Sequence, residues 1–407
     1  MKGALKWLLG IVTSICGFIE VGSISTSAQA GSEFGFRLLW AVAIATVCLV
    51  FLVEMSGRLA LVSGHTLVSA VRERFGFRFH AVPLSAEILL DVLVLSAEIG
   101  GACVALQLLT GVSFRWFALP VGLAVWALLW YGTFSVIENG VSALGLVTLA
   151  FVVAAWKGHP DPAALLAGLV PSAPPDSGSL PRYGFLAVGI LGATISPYLL
   201  NFYSSGAVEE KWSEKDVMPN RLVAAFGMSF GSVVSAGVLV VAALVLAPRG
   251  IHVDRFEQAA LMLLPAFRSW GVPLFAACLF IGCFGAALEI ALNLAYAMAQ
   301  AFGWNWGEDQ RPAEDARFCV VYTAAVLAGS VIMTAGLSPL KLTLFSMALT
   351  VVVLPLIVMP FLVLLNDPHY VKTHRNGWIG NFVVTFVLLL GCLLAVVVIP
   401  LEVIGGG

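Results

Sequence analysis

The chain has 407 residues, 60% of them hydrophobic and only 11% charged. A soluble core cannot hide that much apolar surface, and a formal net charge of −2 excludes a binder of nucleic acid or other polyanions. Apolar segments of 18 or more residues recur along it, each long enough to cross a bilayer.

Apolar runs between polar breaks predict an all-α integral membrane protein of eleven spans. Their cores lie at 4–30, 36–56, 83–110, 116–133, 140–156, 184–206, 222–247, 272–300, 317–335, 339–365 and 379–400. The opening MKGALKWLLGIVTSICG imitates a signal peptide, with Lys2, Lys6 and a small-residue SAQA ending at Ala30. Glu20 inside that apolar run, and the continuity of the pattern beyond it, argue for a first span instead. Basic residues concentrate in the connections on the N-terminal side. This predicts a multi-pass plasma (bacterial inner) membrane protein with a cytoplasmic N-terminus and, for an odd span count, an external C-terminus. The Pro/Ser-rich connection DPAALLAGLVPSAPPDSGSLP is then an external loop.

The seven cysteines fall within or beside apolar segments, and none forms a metal-ligand spacing. All six histidines fall in connections or at span ends, so no mid-span histidine offers a proton relay. No nucleotide loop, serine triad or zinc spacing appears, and the chain does not read as an enzyme. Nothing points to a resident cofactor or an obligate protein partner. The expected partners are the lipid bilayer and a metal ion carried as substrate.

Two spans are interrupted midway, the first around Glu20–Val21–Gly22–Ser23 and the sixth around Ser196–Pro197–Tyr198. Interruptions in corresponding members of two five-span halves point to an inverted-repeat transporter with its site at the bilayer midplane. One transmembrane domain, 1–407, is expected, with repeats at 1–156 and 184–365 and an extra helix at 379–400. Pro197 has no N–H, so the Ala193 carbonyl loses its helical donor. Gly22 permits unwinding that frees carbonyls near Gly17 and Phe18. Glu20 adds a charge beside them, and Ser23 and Ser196 add hydroxyls. Carboxylate, carbonyl and hydroxyl oxygens suit a hard cation. A charge at mid-bilayer costs about 2.5–3.5 kcal/mol on insertion scales, so it normally has a partner or a function. The plainer alternative is that Glu20 caps the second half-helix of span one or stays protonated.

These residues resemble the Nramp divalent-metal transporters. GFIEVGSISTSAQAGSEFGFRLLW resembles that family's first span, where the motif reads DPGN. SGRLALVSGHTLVSAVRERFG resembles the end of its second span, LSAEIGGACVALQLL its third, GATISPYLLNFYSS its sixth with the motif MPH, and LPLIVMPFLVLLND its tenth. The resemblance implies a LeuT-type fold of eleven helices and alternating access around a metal between helices one and six. This chain departs from the family as a divergent, magnesium-transporter-like member would. DPGN becomes Glu20–Val21–Gly22–Ser23, and MPH becomes Ser196–Pro197–Tyr198. The family's second histidine of helix six aligns with Tyr203, an aspartate of helix three with Leu95, and a glutamine of helix ten with Met347, while Glu98 is kept. Loss of the methionine removes a ligand for soft metals, so Mg²⁺ is favoured with Mn²⁺ second. Loss of the histidines and the aspartate implies weak or absent proton coupling. An amine or amino-acid symporter on the same fold, or a non-transporting sensor, are the alternatives.

Tyr198, Glu98, Asp91, Met347 and Tyr203 are secondary candidates for the site or a pathway. Glu98 and Asp91 share a helical face and suggest a polar route. Met347 is either a relocated soft ligand or a packing residue. Glu54 and Arg58, four residues apart, read as a snorkelling ion pair. Glu289 and Asn293 stand one turn apart in span eight, and Lys341 is expected to reach the outer interface.

Overall fold

The structure is a computed structural model that describes residues 20–132, 144–174, 176–307 and 316–405. Thirteen main helices carry the argument. In chain order they are α1 (Val21–Phe34), α2 (Leu39–Ser63), α3 (Leu67–Phe75), α4 (Phe77–Thr110), α5 (Ala118–Tyr131) and α6 (Leu149–Lys157). They continue with α7 (Leu180–Thr194), α8 (Pro197–Glu209), α9 (Val217–Val245), α10 (Gly271–Phe302), α11 (Ala316–Thr334), α12 (Pro339–Leu364) and α13 (Trp378–Gly405). No strand occurs among the described residues.

Nine helical runs among the described residues are long and apolar enough to cross a membrane. The difference from eleven has identifiable causes. Expected spans one and two follow each other without a polar loop in Val21–Ser63, as two helices separated by the positive-φ Gly35 and the 3₁₀ turn Gly35–Leu38. The part of the first span before Glu20, including Gly17, lies outside the described residues. Expected span five is the shorter helix Leu146–Lys157, and its first residues also lie outside them.

α1 is unusual for a helix at the centre of a protein. Its sequence, VGSISTSAQAGSEF, is rich in small polar residues, yet every residue from Val21 to Ser32 is buried. Hydroxyls satisfy themselves locally: Ser25 and Thr26 both donate to the Gly22 carbonyl, at 3.1 and 2.7 Å. Small residues also let neighbouring backbones approach. A Cβ on Gly31 would stand 2.2 Å from the Leu239 carbonyl oxygen of α9. α1 is thus enclosed by α7, α9, α10 and α12.

α4 is the second central helix and packs on α10, α11 and α12. Its EIGGA segment (98–102) is a packing surface. A Cβ on Gly101 would meet Cys283 Sγ at 2.5 Å, and one on Gly100 would meet Met333 Sδ at the same distance. α13 and α5 lie at the periphery, with Leu389 and Leu123 exposed, as lipid-facing helices should be.

The Glu54–Arg58 pair is present at 3.0 Å, but it does not snorkel. Arg58 is buried, donating also to Asn376 Oδ1 at 2.6 Å and to the His374 carbonyl. It fastens α2 to the connection before α13. Lys341 is exposed, as expected.

Candidate functional site

A break between two helices and the start of a third meet in the centre. α7 ends at Thr194 and α8 begins at Pro197, with Ile195 and Ser196 between them in non-helical conformations. Pro197 supplies no N–H to the Ala193 carbonyl, and both Ala193 and Ser196 are buried. Opposite them, Glu20 stands at the N-cap of α1 with an extended backbone.

The capping alternative for Glu20 fails on geometry. Its side chain makes no cap hydrogen bond to α1. That task belongs to Glu98 of α4, whose two carboxylate oxygens each accept from the Val21 N–H at 3.1 Å. Glu20's carboxylate points instead at the break between α7 and α8. Ser196 Oγ donates to Glu20 Oε1 at 3.3 Å and Tyr198 Oη donates to Oε2 at 3.1 Å. The carboxylate is 1% exposed, so these donors act where water does not compete.

Met347 of α12 completes the surroundings. A Cβ on Gly22 would stand 2.6 Å from Met347 Sδ and 3.2 Å from Glu20 Oε1. The absence of a side chain at Gly22 therefore admits the thioether beside the carboxylate. Backbones are equally close on the far side, where a Cβ on Gly192 of α7 would lie 2.1 Å from the Met347 carbonyl oxygen. Ser23, buried on α1 one turn past Glu20, belongs to the same neighbourhood.

The remaining sequence candidates divide. Glu98 touches the end of α1, and Tyr198 is on Glu20 itself. Tyr203 is elsewhere: its phenol donates to Asn220 Oδ1 at 3.0 Å, and that amide in turn donates to the Glu54 carbonyl at 2.9 Å. Five residues on a helix turn the side chain by roughly 140° from Tyr198, which aims Tyr203 at α2. Asp91 belongs to a separate polar cluster. Asn293 donates to Asp91 Oδ2 at 2.8 Å and to Glu87 Oε1 at 3.2 Å, and Asn201 of α8 also donates to Glu87 Oε1. Glu87 was not among the sequence candidates. Its signal was the helical stripe Glu87, Asp91, Glu98, in which each residue lies within about 40° of the first.

No group of three or more His, Cys, Asp or Glu side chains with metal-binding geometry occurs among the described residues. The groups gathered around Glu20 are hydroxyls, with the Met347 thioether against the neighbouring Gly22.

Fold and centre together define a multi-pass helical membrane protein with a buried carboxylate held between the start of one helix and the break between two others. The Nramp family, described as natural resistance-associated macrophage protein-like, matches residues 10–400, and the chain belongs to that family. It is 28% identical over 261 residues to the divalent metal cation transporter MntH of Deinococcus radiodurans, covering 60% of this chain and 57% of that one. It is 31% identical over 260 residues to MntH of Chromohalobacter salexigens, covering 61% and 59%. The matched stretch thus spans less than two thirds of these relatives' length. Among solved structures, the Eremococcus coleocola manganese transporter in complex with an aromatic bis-isothiourea compound superposes with a TM-score of 0.80 at 21% identity, covering 98% of this chain and 87% of that one. The nucleobase-cation-symport-1 family transporter Mhp1 gives 0.61 at 15%, covering 97% and 92%. At those identities the likeness establishes a fold of LeuT type.

Proposed function

We propose that the chain is a secondary carrier for divalent metal cations, with Glu20 as the charged ligand. The observation that supports this most is the orientation of that carboxylate. It is buried, it is released from capping by Glu98, and it faces Ser196 and Tyr198 across the α7–α8 break. Ser23, Ser196 and the carbonyl of Ala193 would supply further oxygens, directly or through retained waters, with Gly17 as a ligand from outside the described residues.

The preference for Mg²⁺ expected from the sequence rested on a lost thioether. Met347 removes that premise, since its sulfur lies beside Gly22 and Glu20. A set that mixes hard oxygens with one soft sulfur suits Mn²⁺ better than Mg²⁺. The relatives named as manganese or divalent metal cation transporters support the same order. We therefore place Mn²⁺ first.

The architecture we propose is eleven membrane helices with the N-terminus cytoplasmic and the C-terminus outside. Two inverted repeats, 1–156 and 184–365, would rock about helices broken at Glu20 and at Ile195–Ser196. Proton coupling would be weak, because Leu95 and Tyr198 stand where the family places an aspartate and a histidine. Ion flux into liposomes tests the reading. Purified chain is expected to carry Mn²⁺ at lower concentration than Mg²⁺ and to lose both with Glu20→Ala. Amine uptake with no metal flux would replace it with the organic-solute alternative.

A further inference from the structure

Glu289 stands near the middle of the 32-residue α10, at a depth where a carboxylate marks a partner or a function. Every other residue from Gly285 to Ala297 is buried, whereas Glu289 is partly exposed. That exposure is not turned outward. Earlier on α10, Ala277, Phe280, Ile281 and Phe284 are partly exposed along one apolar side, and Glu289 lies about 80–180° round the helix from them. Asn293 and Tyr296 stand within about 40° of Glu289 and point into the protein. Asn293 donates to Glu87 and Asp91 of α4, and Tyr296 donates to Glu209 of α8 at 2.6 Å. Glu289 therefore opens inward, on the side of α4 and α8.

Contacts between α8 and α10 fix what it meets there. Asn201 and Asn293 both donate to Glu87 Oε1, the Phe202 and Tyr296 ring centroids lie 6.1 Å apart, and Gln300 donates to Ser205 Oγ at 2.9 Å. Along both helices the numbering rises through these contacts, so α8 and α10 run side by side in one direction. One turn back from the level of Asn201 and Asn293 stand Tyr198 and Glu289. The Glu289 carboxylate accordingly acts electrostatically on the Tyr198 phenol. Tyr198 in turn donates to Glu20 Oε2 at 3.1 Å. One phenol thus lies between two carboxylates, Glu20 enclosed and Glu289 partly open.

We propose that Glu289 is the access-path acid of the Glu20 centre, drawing hydrated divalent cations to the open side of Tyr198, from which they pass to Glu20. This role rests on the carrier reading; the inward opening at Glu289 does not. A fixed negative charge in a passage with walls of low dielectric raises the local cation concentration and the rate of arrival. It selects by charge and not by softness, so it serves Mn²⁺ and Mg²⁺ alike. Met347, whose sulfur lies beside Gly22, discriminates between them. The two residues are therefore separable by experiment.

Flux into liposomes and cysteine labelling of the full chain test the proposal. Glu289→Gln keeps the size of the side chain and removes its charge. It is expected to raise the half-saturating concentrations of Mn²⁺ and Mg²⁺ together, by about tenfold each, with the maximal rate held. Glu289→Asp restores the charge and should behave close to the wild type. Labelling uses Glu289→Cys in a Cys16→Ala, Cys392→Ala background, where the remaining five cysteines are buried. The thiol introduced there should react with a cationic methanethiosulfonate faster than with an anionic one, and Mn²⁺ should slow the reaction. Unchanged half-saturation in Glu289→Gln, a shift confined to Mn²⁺, or no recovery in Glu289→Asp overturns the proposal. A Glu289→Cys thiol that neither reagent reaches overturns it as well, and this readout needs no flux and no folded glutamine variant. Wild-type flux that survives Glu20→Ala overturns the Glu20 reading instead, and labelling still decides the opening at Glu289.

Discussion

Tyr198 places its phenol 3.1 Å from Glu20 Oε2, joining the N-cap of α1 to the second residue of α8. Glu20 is relieved of capping by Glu98, and Tyr198 is fully buried two residues into α8. The bond holds the carboxylate against the opposite break, whichever cation it serves.

Tyr198→Phe keeps the ring and removes the donor. A hydrogen bond to a charged group contributes about 1.5–3 kcal/mol, part of which Ser196 retains. The apparent affinity for Mn²⁺ in uptake is expected to fall by about tenfold, with maximal rate and melting temperature little changed. Unchanged affinity would show that the phenol does not orient the ligand.

Gly22 and Met347 should behave as a unit. Ala at 22 would put a methyl 2.6 Å from the Met347 sulfur and 3.2 Å from Glu20 Oε1, displacing the thioether by far the more and the carboxylate by a few tenths of an ångström. Gly22→Ala and Met347→Leu are each expected to weaken Mn²⁺ binding while leaving Mg²⁺ binding nearly intact. The double variant should be no worse than either alone, as non-additivity requires when both remove one contact. Competition of Mg²⁺ against Mn²⁺ uptake measures it. Additive losses would mean that Met347 only fills space.

Glu98 is predicted to stabilise α1 rather than bind the ion. Glu98→Ala leaves the Val21 N–H without an acceptor, at a cost of about 1–2 kcal/mol. Glu98→Gln keeps a carbonyl for that N–H and should melt close to the wild type. Thermal unfolding in detergent separates the two, and equal destabilisation by both would point to the charge instead.

Much of this centre was legible in the sequence because broken membrane helices leave local marks. Glu20 beside Gly22, and Ser196 before Pro197, both announce backbone that must find partners. What was not legible is register between distant helices. Met347 lies in an apolar run with no local sign that its sulfur would meet Gly22, and that contact is the ground on which we propose the reversed ion order. Tyr203 was placed by resemblance alone, and the 100° step of the helix carries it to Asn220. Glu87 was overlooked although it completes a stripe with Asp91 and Glu98. The stripe required reading all three acids together.

Arg58 makes a stability prediction remote from the ion. It is 5% exposed and bonds Glu54, Asn376 and the His374 carbonyl. Arg58→Ala would strand Glu54 with only the more exposed Arg221 at 3.4 Å. Breaking a buried pair from one side costs about 3–5 kcal/mol. A clear fall in melting temperature is expected, and Arg58→Lys should recover little of it because one ammonium cannot span three acceptors. Full recovery by lysine would reduce the pair to simple charge balance.

The central claim is that a divalent cation sits between the start of α1 and the α7–α8 break. Crystals of the wild type soaked in Mn²⁺ and measured at the manganese absorption edge test it directly. An anomalous peak within coordination distance of the Glu20 carboxylate, absent in Glu20→Ala, is the predicted result. Anomalous density that leaves Glu20 bare, or a peak there that survives Glu20→Ala, would contradict it.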